Sequence, residues 1–123
     1  MILVDTSVWI DHLRARDKTL VKLLLAEQVL GHPFIIGEIA LGHMPQRLQV
    51  LNSLRDLPQA IMASQDEVLN LIERERLFGL GIGYVDAHLL AATRLTEGAS
   101  LWTRDKRLRS AGESLALTWS TPA

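Results

Sequence analysis

The sequence predicts an α/β fold with a short parallel sheet between helices, and three observations carry that expectation. The chain opens on Met1-Ile2-Leu3-Val4, an unbroken apolar run of the kind found in strands buried on both faces. Further short apolar runs, Val29-Leu30 and Ala99 to Thr103, alternate with segments of helical period, which is how parallel sheets are wired. The 123 residues are 48% hydrophobic and 22% charged, an ordinary globular balance sufficient for one domain spanning residues 1–123 with one core.

Composition narrows the chemistry. The chain has no cysteine, which excludes disulfides and thiolate metal sites. Asp5 interrupts the first apolar run, so no signal-peptide pattern forms, and the longest apolar stretches fall short of a membrane span. A soluble, cytoplasmic protein without membrane contact is expected. The formal charge of −1 gives no overall sign of nucleic-acid binding. Basic residues nevertheless cluster twice, at Arg14, Arg16, Lys18 and Lys22 and again at Arg104, Lys106, Arg107 and Arg109. Either cluster alone reads as a solvated helix face.

The elements follow in order. Thr6 and Ser7 are helix-start residues, so a first helix is expected over about 7–15, directly after Asp5. A second is expected over about 19–28, then the short strand Val29-Leu30. Pro33 suits the first turn of a third helix running to Leu41, stopped by Gly42 and Pro45. A fourth covers Gln46 to Leu54, with Leu48, Leu51 and Leu54 inward. Pro58 to Met62 is expected as a short strand. Ser64 with Glu67 is a capping-box pattern that opens a long helix through Leu69, Leu71, Ile72 and Leu77. Gly79, Gly81 and Gly83 punctuate a loop before a helix from Tyr84 to Leu95. This loop follows a helix and lacks a lysine, so it is not a phosphate loop; positive-φ turns and close packing explain it. The strand 99–103, a short helix from Asp105 to Ser110 and a last strand at 115–118 complete the chain.

Four of the 14 acids stand apart from the solvated majority. Asp5 ends the first strand, at the carboxyl rim where α/β sheets bind ligands. Glu38 is the only charge between Pro33 and Leu41. Asp86 lies in the first turn of an otherwise apolar helix, and Asp105 follows the strand that ends at Thr103. Singly, Asp5, Asp86 and Asp105 have capping or helix-dipole explanations. Together, carboxylates in apolar surroundings call for a cation. Oxygen ligands without Cys or paired His select Mg²⁺ or Mn²⁺. Such an ion can lower the pKa of a bound water and neutralise charge on a phosphodiester. The four histidines, at 12, 32, 43 and 88, have no ligand spacing and read as surface or hydrogen-bonded residues. Trp9, Trp102 and Trp119 read as core or interface.

Val4-Asp5-Thr6-Ser7, Gly37-Glu38-Ile39, Tyr84-Val85-Asp86-Ala87-His88 and Leu101-Trp102-Thr103-Arg104-Asp105-Lys106 together resemble the successive motifs of the PIN-domain ribonucleases, and more closely the VapC-type toxins of bacterial toxin–antitoxin pairs. The resemblance spans nearly the whole chain. It implies a three-layer α/β sandwich and a Mg²⁺- or Mn²⁺-dependent endoribonuclease with Asp5, Glu38, Asp86 and Asp105 around the metal. It also implies a homodimer, a small VapB-like antitoxin that covers the site, and a larger assembly of the two. By the same analogy Thr6, Ser7 and Thr103 hydrogen-bond metal-bound water or an acidic ligand. Arg104, Lys106 and Arg107 flank Asp105 and are the expected contacts to the RNA backbone. Two other readings remain, a non-catalytic interaction protein of the same fold and a metal-dependent DNA nuclease. A phosphate-accepting receiver domain is a poor fit, because Thr6 stands where a second acid is needed and no lysine follows the last strand.

Overall fold

The computed structural model describes residues 1–121 and shows a three-layer arrangement of helices about a short parallel sheet. In chain order the elements are β1 (Ile2–Val4), α1 (Thr6–Arg14), α2 (Lys18–Leu25), β2 (Val29–Leu30), α3 (Pro33–Ala40), α4 (Arg47–Asp56), α5 (Gln65–Arg74), α6 (Tyr84–Leu95), β3 (Ser100–Trp102) and α7 (Lys106–Ser114).

The strand order is β2-β1-β3, all parallel, with Leu3 opposite Leu30 on one side and Leu101 on the other. β1 is thus the central strand, and its residues Leu3 and Val4 are fully buried. The chain leaves β1 for one neighbour and later returns to the other. With right-handed crossovers this puts helices on both faces of the sheet. It also opens a crevice at the carboxyl ends of β1 and β3, the topological switch point of the fold.

Both expected outer strands are reduced to single bridges. Pro58–Met62 contributes only Gln59, paired with Gly31 through the Gly31 N–H to Pro58 and the Ala60 N–H to Gly31. Pro58 has no N–H to give, and β2 offers just two residues to pair with. At the other edge Thr118 bridges Leu101, while Ala116 turns the preceding backbone into the left-handed region at φ 58°.

Local signals set most helix starts. Asp5 caps α1, Asp17 caps α2 by accepting the Leu20 N–H, and Ser64 and Glu67 form the expected capping box of α5. α2 ends at Leu25, earlier than expected, because Glu27 takes a left-handed φ of 55°. Leu51 and Leu54 of α4 face the core as expected. Leu48 is 70% exposed and Leu69 of α5 is 44% exposed, so neither belongs to it.

Candidate functional site

Asp5 arrives at the crevice from β1, held in register by its own N–H to the Trp102 carbonyl at 2.9 Å. The carboxylate is buried. Its Oδ2 accepts the Ser7 hydroxyl at 2.7 Å and the Thr103 hydroxyl at 2.8 Å. Ser7 Oγ in turn accepts the Arg104 N–H, and Thr103 Oγ1 accepts the Asp105 N–H, both at 3.0 Å. Two hydroxyls therefore lock the ends of β1 and β3 together around one carboxylate. This is the reason for polar residues at 7 and 103 in an otherwise apolar rim.

Asp105 caps α7, and its Oδ1 accepts the N–H groups of Arg107 and Leu108. Asp86 sits one turn into α6, where its Oδ2 accepts the Gly83 N–H at 3.0 Å. Burial pushes the Asp86 carboxyl above the ordinary carboxylate range. The Gly83 N–H opposes that shift, and the charges of Asp5 and Asp105 add to it. Asp86 thus senses two of the other sequence-selected acids, Asp5 and Asp105, across the crevice.

Glu38 differs from expectation. It is exposed, because α3 turns Ile35 and Ile39 inward at helical spacing and leaves Gly37 and Glu38 outside. An argument from buried charge does not hold for it. Glu38 is nonetheless tied to the rim, since its Oε1 accepts the Thr6 hydroxyl at 2.8 Å. Among the described residues, no three His, Asp or Glu side chains are gathered as a ready-made metal cage.

The hydrogen bonds share one pattern. On Asp5, Glu38, Asp86 and Asp105, every protein hydrogen bond falls on a single oxygen, leaving the second oxygen without a protein donor among the described residues. One oxygen fixes the carboxylate and the other remains available. That donor set suits Mg²⁺ or Mn²⁺, because Mg²⁺ keeps several waters and takes only one or two carboxylates directly, without an all-protein cage.

The basic residues divide. Arg104 donates from one guanidinium nitrogen to Asp11 at 2.8 Å and from another to Asp17, and its guanidinium lies over the Trp102 ring at 5.3 Å. The Asp17 hydrogen bond leads the causes that raise the pKa of Arg104 further. Lys106 and Arg107 are exposed on α7 and enter no ion pair among the described residues.

Sequence reasoning missed the ring cluster behind the site. His32 and His88 are both buried, His32 as a hydrogen-bonded histidine that accepts the Phe34 N–H, and Phe34 packs edge-on against each with centroids 5.4 and 4.7 Å away. Tyr84 also packs edge-on to His88, with centroids 4.7 Å apart. The spacing from 84 to 88, one helical turn, was the available signal.

The comparisons agree with this architecture. A family model described as "PIN domain" matches residues 2–114. Two curated proteins named Ribonuclease VapC32, from the CDC 1551 / Oshkosh and ATCC 25618 / H37Rv strains of Mycobacterium tuberculosis, are each 55% identical over 111 residues. The matched stretch covers 90% of this chain and 90% of each relative. A match from Ile2 to Ser114 that includes all four acids, and relatives more than half identical along it, mean that the chain belongs to the PIN-domain family, among the VapC-type ribonucleases.

Proposed function

We propose that this protein is the toxin of a type II toxin–antitoxin pair and acts as a Mg²⁺- or Mn²⁺-dependent endoribonuclease. The observation that carries the reading is the half-free state of four carboxylates at the sheet's carboxyl rim, in a chain of this family. Asp5, Asp86 and Asp105, with Glu38 at the edge, would hold the ion. When bound it would supply activation of a water nucleophile and neutralisation of charge on the phosphodiester.

The chain's own residues do the positioning. Ser7 and Thr103 orient Asp5 through its Oδ2, and Thr6 holds Glu38 through its Oε1. The Gly83 N–H fixes Asp86, whose carboxyl is pushed up first by burial and then by the charges of Asp5 and Asp105, both of which a bound cation would offset. Lys106 and Arg107 stand beside Asp105 to meet RNA phosphates.

The antitoxin's seat, on this reading, is a groove of about 340 Å³ between α1, α2 and α4, walled by Leu13, Leu24, Val50 and Leu57. An amphipathic helix of a VapB-like partner would cover the apolar wall. Homodimerisation, a larger complex with the antitoxin and a cytoplasmic site of action belong to the same proposal. Among the described residues, no helix is long and apolar enough to cross a membrane.

Antitoxin-free protein should cut cellular RNA with Mg²⁺ or Mn²⁺, and chelation by EDTA should stop it. Asp5→Asn and Asp86→Asn should abolish cutting while retaining the folded far-UV signal. Thr103→Val, which removes a supporting hydroxyl, should slow it about 10- to 100-fold. Absence of cutting by folded, metal-loaded protein on any RNA would sink the nuclease reading. It would move weight to a non-catalytic interaction protein of this fold, with DNA the next substrate to try.

A further inference from the structure

Two exposed aromatic rings lie beside the acid cluster with no role in the core. Phe78 is 61% exposed and Tyr84 is 47% exposed. Both line an open hollow of about 220 Å³ whose floor is apolar, with Leu77 and Ile82 among its walls. Gly83 also lines that hollow, and its N–H is the group that binds Asp86. The hollow and the candidate site therefore share a wall.

The surroundings hold this feature in place. Tyr84 is braced from within by His88, edge-on at 89°, and His88 by Phe34. Gly79 and Gly81 shape the loop at φ 74° and 79°, a region open to glycine. Arg107 packs against Gly81 so closely that a Cβ there would lie 2.8 Å from its Nη1. The loop thus docks on α7 and separates the aromatic hollow from a second one of about 390 Å³. That second hollow is lined by Leu80, Lys106, Arg107, Ser110 and Ser114. One side of the loop offers ring faces and the other offers cations and hydroxyls.

Ring faces beside cations match the chemistry of a single-stranded nucleic acid, whose bases stack on aromatics while its phosphates meet Lys and Arg. On the proposed nuclease reading, on which this inference rests, we propose that Phe78 and Tyr84 form a stacking subsite. It takes one unpaired base of the RNA next to the bond to be cut, with the adjoining phosphate on Lys106 and Arg107. The subsite makes these rings specificity-determining: an unpaired nucleotide is required at one fixed position from the cut.

The test uses the whole protein with metal chelated, so that no strand is cut, and single-stranded oligoribonucleotides carrying 2-aminopurine at successive positions. Wild-type protein should quench the probe most strongly at one position relative to the cut. Phe78→Ala and Tyr84→Ala should each relieve that quenching and weaken binding about fivefold or more. Tyr84→Phe, which keeps the ring, should behave as wild type. Phe78 is exposed and lies outside the core cluster, so its replacement should leave the fold intact and protect the test from misfolding. Unchanged quenching and affinity in Phe78→Ala would overturn the subsite while leaving the nuclease reading intact. So would a change of oligomeric state with RNA binding preserved, since the rings would then face a second copy. Failure of chelated wild-type protein to bind any RNA would overturn the subsite alone, whereas failure of the metal-loaded protein to cut any RNA would remove both.

Discussion

His32 caps α3 through Nδ1, which accepts the Phe34 N–H at 3.0 Å, and its ring is fully buried. That bond needs a neutral imidazole with its proton on Nε2. Burial, with His88 close by, lowers the His32 pKa from 6.5 to about 4. The unfolded chain takes up a proton near pH 6.5. Between those values the unfolded state binds a proton that the native state refuses. Stability is therefore intact above about pH 6.5 and falls as the pH drops toward 4, by up to roughly 3 kcal/mol. Urea unfolding near neutrality and near pH 5 measures this. His32→Asn retains a capping oxygen without a titrating group, so its pH dependence should be visibly shallower. Parallel slopes for the two proteins would rule His32 out as the cause.

At the scale of elements, one residue in the segment between β3 and α7 ties two helices to the sheet. Arg104 reaches Asp11 of α1 and Asp17 at the start of α2, and stacks over Trp102. Burial works to raise the Asp17 pKa, but the Leu20 N–H and Arg104 outweigh it and hold the carboxyl below its ordinary value. The sequence placed Arg104 with Lys106 and Arg107 as one RNA-facing group, because all three flank Asp105. Their partners separate them. Arg104→Gln should lower stability by about 1–2 kcal/mol through two partly exposed pairs and a lost ring contact. Replacing Lys106 and Arg107 with Gln should cost less stability than Arg104→Gln, since it gives up the packing of Arg107 on Gly81 but no ion pair among the described residues. It should reduce the salt slope of single-strand RNA binding by about 0.7 per contact removed. Denaturant curves and a salt titration of RNA binding distinguish the two. A large stability loss in the α7 pair, or an undiminished salt slope, would contradict the division.

Across the whole molecule, β1 is the element on which core and site both depend. Leu3 is fully buried, with a strand on either side, and Asp5 follows it by two residues. Leu3→Ala should cost about 2–5 kcal/mol, read by chemical denaturation. Its effect should reach the site, since the Thr103 bond to Asp5 exists only while β1 and β3 are in register. A loss below 1 kcal/mol would show that β1 is not the centre of the fold.

The sequence by itself determined the strand–helix alternation, the helix starts marked by Asp5, Ser64 and Asp105, and the candidacy of Asp5, Asp86 and Asp105. These are local matters. Unbroken apolar runs, capping side chains and charges beside apolar stretches act within a few residues of one another. The family was legible for the same reason, as four short motifs in order. Only the tertiary structure decided that Glu38 faces outward and that His32 and His88 are buried. It also decided that Arg104 is paired away from the α7 cations, and that both outer strands shrink to single bridges. Those outcomes depend on which distant segments meet. Asp17 lies 87 residues from Arg104, and Thr103 lies 98 from Asp5. No local pattern encodes such contacts. They follow from a sheet order that brings the first strand and the last named strand side by side.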